Sequence, residues 1–477
     1  MNARRLAKAF IVLWLACPLF FLSAVSMAPP VAKEPQPYDS AVLLGEWDFS
    51  RPLSPSEIEA ADNLLVQVTT LGKGDPLYVW FGHAALVITD IKNNRSVMYD
   101  YGVFSFDDDF YRTFAMGRMF YQVWATSAKA RFAQAKDEDR DMHLLTLDLP
   151  PEAKLTLVRF LNFNILPENQ TYLYHHYRDN CATRVRDIID KAVDGQFKTW
   201  ATSVAANQTY RQHVSRHTSQ YPLIEWALDF LQSGRIDHPI TLWEEMFLPQ
   251  KLEEALMGFT YTDNVGQSRP LVNNLEVVNR ESETSGRVPV SETYHSMAPI
   301  AIGFGLAIGL LSLLLTRGFL SSSFTSIRTL SHFLWGLVNG LWTLVVGLLA
   351  SLLLFMMVFT SHDVTYGNEN ILLATPWLLV MSFWGFQVQF GSKNALRRFR
   401  KSCSVSSIAI MLLILLKIVF PDLLIQQNWP IIGTLLPLYL LNSNLSFHRL
   451  KAYFIRVEAA QARQKKTASP QRDATLV

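Results

Sequence analysis

The apolar residues of this 477-residue chain are bunched rather than spread, and that bunching limits the fold before any motif is read. Residues 10–28 form one apolar run behind Arg4, Arg5 and Lys8. Further runs follow at about 298–316, 330–360, 371–390, 404–420 and 430–447, with Pro421 and Asp422 dividing the last two. A helix needs roughly 20 apolar residues to cross a bilayer, so these runs predict five C-terminal spans, the final pair short. Residues 30–296 have the composition of an ordinary soluble domain. A formal net charge of +2 leaves no electrostatic footprint for a nucleic-acid partner.

The basic residues flanking the runs set the expected orientation. Arg4, Arg5 and Lys8 hold the N-terminus in the cytoplasm and place 30–296 outside. Successive spans then return to Arg317 and Arg328, exit to an uncharged-to-acidic loop at 361–370, and re-enter at Lys393, Arg397, Arg398, Arg400 and Lys401. The fourth exits to Pro421 and Asp422, and the fifth ends at Arg449, Lys451 and Arg456. Every expected inside loop is basic, and neither outside loop carries Lys or Arg. The N-terminal run reads as an uncleaved anchor, because Pro29 after Ala28 disfavours signal cleavage. A lipoprotein signal at Leu15-Ala16-Cys17 is the weaker reading, since apolar residues continue past the cysteine. The expected organisation is an anchor at 1–29, an exported domain at 30–260, a linker at 261–296, a membrane bundle at 297–447 and a basic cytoplasmic tail at 448–477.

Within the exported part, Ser54-Pro55-Ser56-Glu57 opens an expected helix over 54–69. Residues 77–88 and 96–102 read as strands joined by a turn at Lys92-Asn93-Asn94-Arg95. Further strands are expected at 118–124 and 142–149, and helices at 151–164, 168–176, 180–194, 222–234 and 240–257. An edge strand at 271–278 falls in the polar linker. This is an α+β layer architecture with an antiparallel sheet. There is no phosphate-cradling glycine loop and no zinc-ligand spacing, so neither cofactor nor metal is expected.

The chain has three cysteines. Cys17 and Cys403 lie in or beside apolar runs, which leaves Cys181 with no evident disulfide partner on its side of the membrane. Asp179 or Asn180 can cap a helix that begins at Cys181. Unpaired N–H groups and the dipole at that helix start favour a thiolate over a thiol. A thiolate nucleophile calls for a histidine. His83, following Gly82 at an expected strand, is the candidate base; His175, His176 and His238 are alternatives. Asp100 on the neighbouring strand is the candidate to orient the imidazole, with Asp107 second. Arg184, Arg186 and Asp187 read as helix-surface ion pairs or as an anion contact.

Three segments carry a family resemblance: Phe81-Gly82-His83-Ala84-Ala85-Leu86, Tyr99-Asp100-Tyr101-Gly102-Val103-Phe104, and Asp179-Asn180-Cys181-Ala182-Thr183-Arg184. They resemble the periplasmic domain of the Lnb-type bacterial lipoprotein N-acyltransferases. Asp237-His238-Pro239, Trp243-Glu244-Glu245-Met246 and the loop His362-Asp363-Val364-Thr365 with Asn368 and Asn370 extend the resemblance. It implies a permuted papain-like (NlpC/P60-like, LRAT-like) domain with the histidine strand ahead of the cysteine helix. It also implies Cys181 as nucleophile, His83 as base, and transfer of a fatty acyl chain from phospholipid to the α-amine of a lipoprotein's diacylglyceryl-cysteine in the inner membrane. Ser105 stands where the pattern leads one to expect a different polar alternation. Candidate substrate contacts are Asn180, Arg184 and Tyr101 near the thiol, and His362, Thr365, Asn368 and Asn370 in the outer loop. A peptidase or amidase acting on cell-wall peptides is the competing enzyme reading. A non-enzymatic sensor or assembly protein, in which Cys181 is structural, is the third.

Overall fold

A computed structural model describes residues 52–104 and 110–445, so the N-terminal run, Asp107 and the basic tail lie outside the described residues. The chain divides into two compact units. The first holds the described residues up to Thr113 with Met119–Asn207 and Ile240–Pro289, and the second holds Phe114–Arg118, Gln208–Pro239 and the described residues from Val290 onward.

In the first unit, Ser54 caps α1 (Pro55–Ala60) in a reciprocal box, the Glu57 carboxylate accepting from the Ser54 N–H at 2.8 Å. The helix ends after six residues, not at residue 69. Leu64-Leu65-Val66-Gln67-Val68-Thr69-Thr70-Leu71 instead forms strand β1 (Leu64–Leu71), paired on both sides. Its β-branched residues suit a strand, and burial from both faces removes the alternation that would have revealed it.

Strands β2 (His83–Asp90) and β3 (Arg95–Val103) form the expected hairpin. The strand does not begin at residue 77: Leu77–Val79 is a single 3₁₀ turn, and Gly82 separates it from β2. Gly82 has φ +78°, and an added Cβ would lie 2.7 Å from the Leu71 carbonyl, so this junction requires glycine.

Strand β4 (Phe120–Ser127) leads into α2 (Ala128–Asp137), followed by β5 (Met142–Leu147) and α3 (Pro151–Asn164). The expected helix over 168–176 is instead a short edge strand, β6 (Thr171–Leu173), paired with β4. The cysteine helix α4 (Cys181–Ala192) follows, and later α5 (Pro249–Gly258). The segment treated as a linker carries a small hairpin, Thr260–Thr262 with Ser268–Pro270, and β7 (Val272–Asn279), which pairs with β5. The antiparallel sheet thus runs β6-β4-β3-β2-β1-β5-β7.

Both faces of the sheet centre are covered. Ala84, Leu86, Ile88, Val97, Tyr99 and Tyr101 face a core completed by Val158 and Leu161 of α3 and by Val185 and Ile189 of α4. Ala85, Val87 and Met98 pack on the opposite side with Ala128 and Phe132 of α2. Each large side chain buried this way contributes about 1.5–3 kcal/mol, and the alternation locks the register, since a one-residue slip would exchange the faces.

The second unit is helical. Among the described residues, four helical stretches are long and apolar enough to cross a membrane: α6 (Ala298–Ser321), α7 (Thr325–Phe359), Asn370–Val388 with its main helix α8 (Trp377–Val388), and α9 (Lys393–Val419). The fifth expected span is α10 (Trp429–Asn442), 14 residues long. Close helix contact is made by small residues. An added Cβ would lie 2.4 Å from the Thr434 carbonyl at Gly305, and 2.8 Å from the Gly340 Cα at Gly385. Asn339, fully buried, takes the Ser312 hydroxyl and the Trp342 indole N–H (2.9 Å) onto one amide oxygen.

The segment 208–239 belongs to this unit and explains the loops at its helix ends. Arg211 is buried between Asp229 (3.0 Å) and Asp237 (2.7 Å). The Asn368 amide donates to the Phe230 carbonyl, and the Asn370 amide to the carbonyls of Asp229 and Phe230, all at 3.0 Å.

Candidate active site

The site lies wholly in the first unit. Asn180 is the N-cap of α4: its side-chain oxygen accepts from the Thr183 N–H at 2.9 Å, while the Thr183 hydroxyl takes the Asn180 N–H at 2.7 Å. Its amide nitrogen donates to the carbonyls of His176 (2.8 Å) and Phe247 (2.9 Å). With the amide so occupied, Asn180 fixes where α4 begins. Cys181 therefore occupies the first helical position, where its backbone N–H has no intrahelical acceptor.

His83 opens β2 and Asp100 lies on β3. The register pairs Leu86 with Tyr99; continued by one residue it sets Asp100 opposite Ala85, diagonal to His83 on the same face. The two side chains meet, His83 Nε2 to Asp100 Oδ1, at 2.6 Å. The thiol of Cys181 is hydrogen-bonded to the His83 side chain and receives the Ala84 backbone N–H. With Nε2 on the carboxylate, Nδ1 is the ring nitrogen left for sulfur. Cys181, His83 and Asp100 are thus brought together in the order needed for nucleophile, base and orienting group.

The electrostatics follow from this contact. Burial alone would lower the His83 pKa, but the Asp100 charge, then that of the Cys181 thiolate, outweighs it and holds the imidazolium up to about 10. Burial would raise the thiol of Cys181; His83 and the Ala84 N–H overcome that and bring it below its ordinary value. Burial opposes Asp100 too, and His83 with Arg131 hold its carboxyl well below the usual range. These directions favour a thiolate–imidazolium pair beside an ionised carboxylate.

Gly102, with φ +89°, leaves open the space beside the Cys181 side chain. A Cβ there would lie 3.7 Å from Cys181 Cβ and 3.9 Å from both the Tyr172 hydroxyl and the Tyr174 ring. The Tyr172 hydroxyl oxygen is buried and has no hydrogen-bond partner among the described residues. Leaving such a group unpaired costs about 1–3 kcal/mol. Rings continue away from the site through Tyr174, Tyr121 (4.4 Å) and Phe104 (4.9 Å) to Tyr78 (5.9 Å).

The other sequence candidates make contacts apart from the Cys181–His83–Asp100 set. Tyr101 points into the core, its hydroxyl donating to Asn164 at 2.7 Å. Arg184 forks onto Asp179 and lies 4.2 Å over the Tyr172 ring, so it braces the wall of the site. Arg186 donates to the Trp243 carbonyl and pairs with Asp187 at 2.7 Å. His175 accepts the N–H groups of Tyr177 and Arg178 in the turn before α4. His176 lies edge-on to Tyr174 at 5.5 Å. His238, in the second unit, lies against Tyr210. His362 and Phe114 share that unit, the imidazole Nε2 reaching the Phe114 carbonyl at 3.0 Å. Thr365, Asn368 and Asn370 are buried there and hold the loop together, so their placement offers no exposed contact for an acceptor or headgroup. Cys403 is buried in the helical unit and is a free thiol, as is Cys181.

Arg131 and Tyr172 escaped the sequence reading. No helix was expected at 128–137, so Arg131 had no face on which to be placed; Tyr172 fell in a segment read as helical.

Residues 58–216 match the family described as the Lnb N-terminal periplasmic domain, a span that includes His83, Asp100, Arg131 and Cys181. The match covers about a third of the chain: this segment is similar to a periplasmic domain of the Lnb family, and helices long and apolar enough to cross a membrane follow it in the sequence. No curated protein and no solved structure matches the chain.

Proposed function

We propose that this chain is a membrane-bound thiol acyltransferase, with a papain-like periplasmic domain that moves a fatty acyl chain from phospholipid to the α-amine of a lipoprotein's diacylglyceryl-cysteine. The observation that carries the reading is the contiguous Cys181–His83–Asp100 set within the matched domain of a chain whose described residues include four membrane-capable helices.

The chemistry balances without an added cofactor. The Cys181 thiolate attacks an ester carbonyl of the phospholipid, and negative charge develops on its oxygen. The Cys181 N–H at the start of α4 and the free hydroxyl of Tyr172 are the donors suited to that oxyanion. Collapse breaks the ester C–O bond, the His83 imidazolium protonates the departing glycerol oxygen, and a lysophospholipid leaves a thioester on Cys181. The neutral amine of the acceptor then attacks the thioester, His83 takes its proton, and the thiolate departs as the amide forms. Helices in the bilayer would hold donor and acceptor lipids near one surface and raise their effective concentration.

A cell-wall peptidase could use the same three residues, but it would have no use for four apolar helices. The test is mass spectrometry of lipoprotein N-terminal peptides from cells with the wild-type chain, with Cys181→Ala, and with none. N-acylated peptides are expected with wild type alone. Equal N-acylation in all three would end the proposal.

A further inference from the structure

We propose that Arg131 is a positioning residue of the thiol site, clamping Asp100 so that one carboxylate oxygen is presented to His83 while the second negative charge of the cluster is balanced. The inference rests on the reading of Cys181 as a thiolate nucleophile and not on the identity of donor or acceptor.

Asp100 uses its two oxygens separately. Oδ1 meets His83 Nε2 at 2.6 Å, and Oδ2 takes Arg131 Nη2 at 2.8 Å. The carboxylate side chain is 5% exposed and the Arg131 side chain 32%, so the clamp closes the outer side of a buried charge. The guanidinium is itself braced along α2. Arg131 Nη1 donates to Gln134 Oε1 at 2.5 Å, and Gln134 Nε2 to Glu138 Oε1 at 2.7 Å. Glu138 pairs with Arg140 at 3.3 Å, and Arg140 donates twice to the Gly72 carbonyl, at 3.1 and 2.8 Å. Residues 131, 134 and 138 lie on one helix face, and that line ties the carboxylate to the end of β1.

Charge counting gives the clamp its consequence. A thiolate and a carboxylate face one imidazolium, which leaves a net negative charge in a buried site; Arg131 cancels it. Around this group, Arg184 and Asp179 from the α4 end pair with each other, and the Tyr172 and Tyr174 hydroxyls, raised by burial, stay neutral. Without Arg131 the uncompensated Asp100 charge would act on the thiolate and make it harder to form.

The experiment is alkylation of Cys181 by iodoacetamide across about pH 5 to 9, using the full-length chain in detergent and reading Cys181 by peptide mass spectrometry. In Arg131→Gln the onset of alkylation should move to higher pH. A half-unit move slows the low-pH limb by about threefold, while the rates converge with wild type at high pH. Arg131→Lys, which restores the charge, should bring the onset back toward wild type. A profile that superimposes on wild type, or a rate lowered by one factor at every pH, overturns the proposal. If Arg131→Gln does not fold, Asp100→Asn is added; recovery of folding in the double variant supports action through Asp100, and a double variant that stays unfolded overturns it. The assay contains no lipid. A displaced onset in Arg131→Gln, together with no phospholipid acylation by wild type, would sink the acyltransferase reading and leave this one standing.

Discussion

His83 and Asp100 meet at 2.6 Å from adjacent strands because they are diagonal neighbours on one face of the β2–β3 hairpin. The base of the site is thus a property of strand register. The apolar residues that fix the register, Leu86 and Tyr99 on one face and Val87 and Met98 on the other, also fix the imidazole.

Replacing Asp100 by Asn tests that link. The charge that holds His83 up to about 10 is removed, so the imidazolium is lost at lower pH and its orientation is no longer enforced. We expect kcat to fall by about 100-fold and the alkaline limit of activity to move down. A pH–rate profile measures both, and an unchanged alkaline limit would separate Asp100 from the base.

The same contact makes stability depend on pH in a definite direction. The His83 value in the fold lies above its ordinary 6.5, so the stabilisation it contributes is complete below pH 6.5 and is lost as pH rises through the folded value. The thiol works in the opposite sense, so Cys181→Ser isolates the imidazole. Urea unfolding of that variant should give decreasing stability as pH rises above 6.5, and adding Asp100→Asn should flatten the decline. Parallel curves for the two variants would contradict the linkage.

Much of this geometry was legible in the sequence, for physical reasons that can be named. The turn at Lys92-Asn93-Asn94-Arg95 and the apolar stretches beside it fix the hairpin, and the polar residues before Cys181 mark a helix start. Strand β1 was misread because, covered on both faces, it has no alternation to betray it, and its capped entrance at Ser54 does begin a helix. Strand β6 is three residues long and owes its form to pairing with β4. Arg131 reaches Asp100 across 31 positions, a contact made only by the fold. Asn368 and Asn370 read as candidate substrate contacts in an outer loop because nothing local announces that their amides will donate to the carbonyls of Asp229 and Phe230.

Tyr172→Phe removes the unpartnered hydroxyl without changing the thiol's hydrogen bonds. If that hydroxyl serves the oxyanion, acyl-enzyme formation should slow by about 100-fold, while alkylation of Cys181, which builds no oxyanion, should keep its rate. Stopped-flow acylation beside alkylation separates the two. An equal loss in both would assign Tyr172 to packing.

Asn180→Ala should act through position. Loss of the cap costs about 1–2 kcal/mol, and the tethers to the His176 and Phe247 carbonyls go with it. The expected result is a lower unfolding midpoint together with slower alkylation of Cys181. A variant with lowered stability and an untouched alkylation rate would show that the thiol does not depend on this cap.

The most direct test is the intact mass of the purified chain after mixing with phospholipid vesicles and quenching in acid. The account predicts an added mass of one fatty acyl group, located on Cys181, released by hydroxylamine, and absent in Cys181→Ala and His83→Ala. A wild-type chain whose Cys181 alkylates readily yet never gains an acyl group from phospholipid would contradict it.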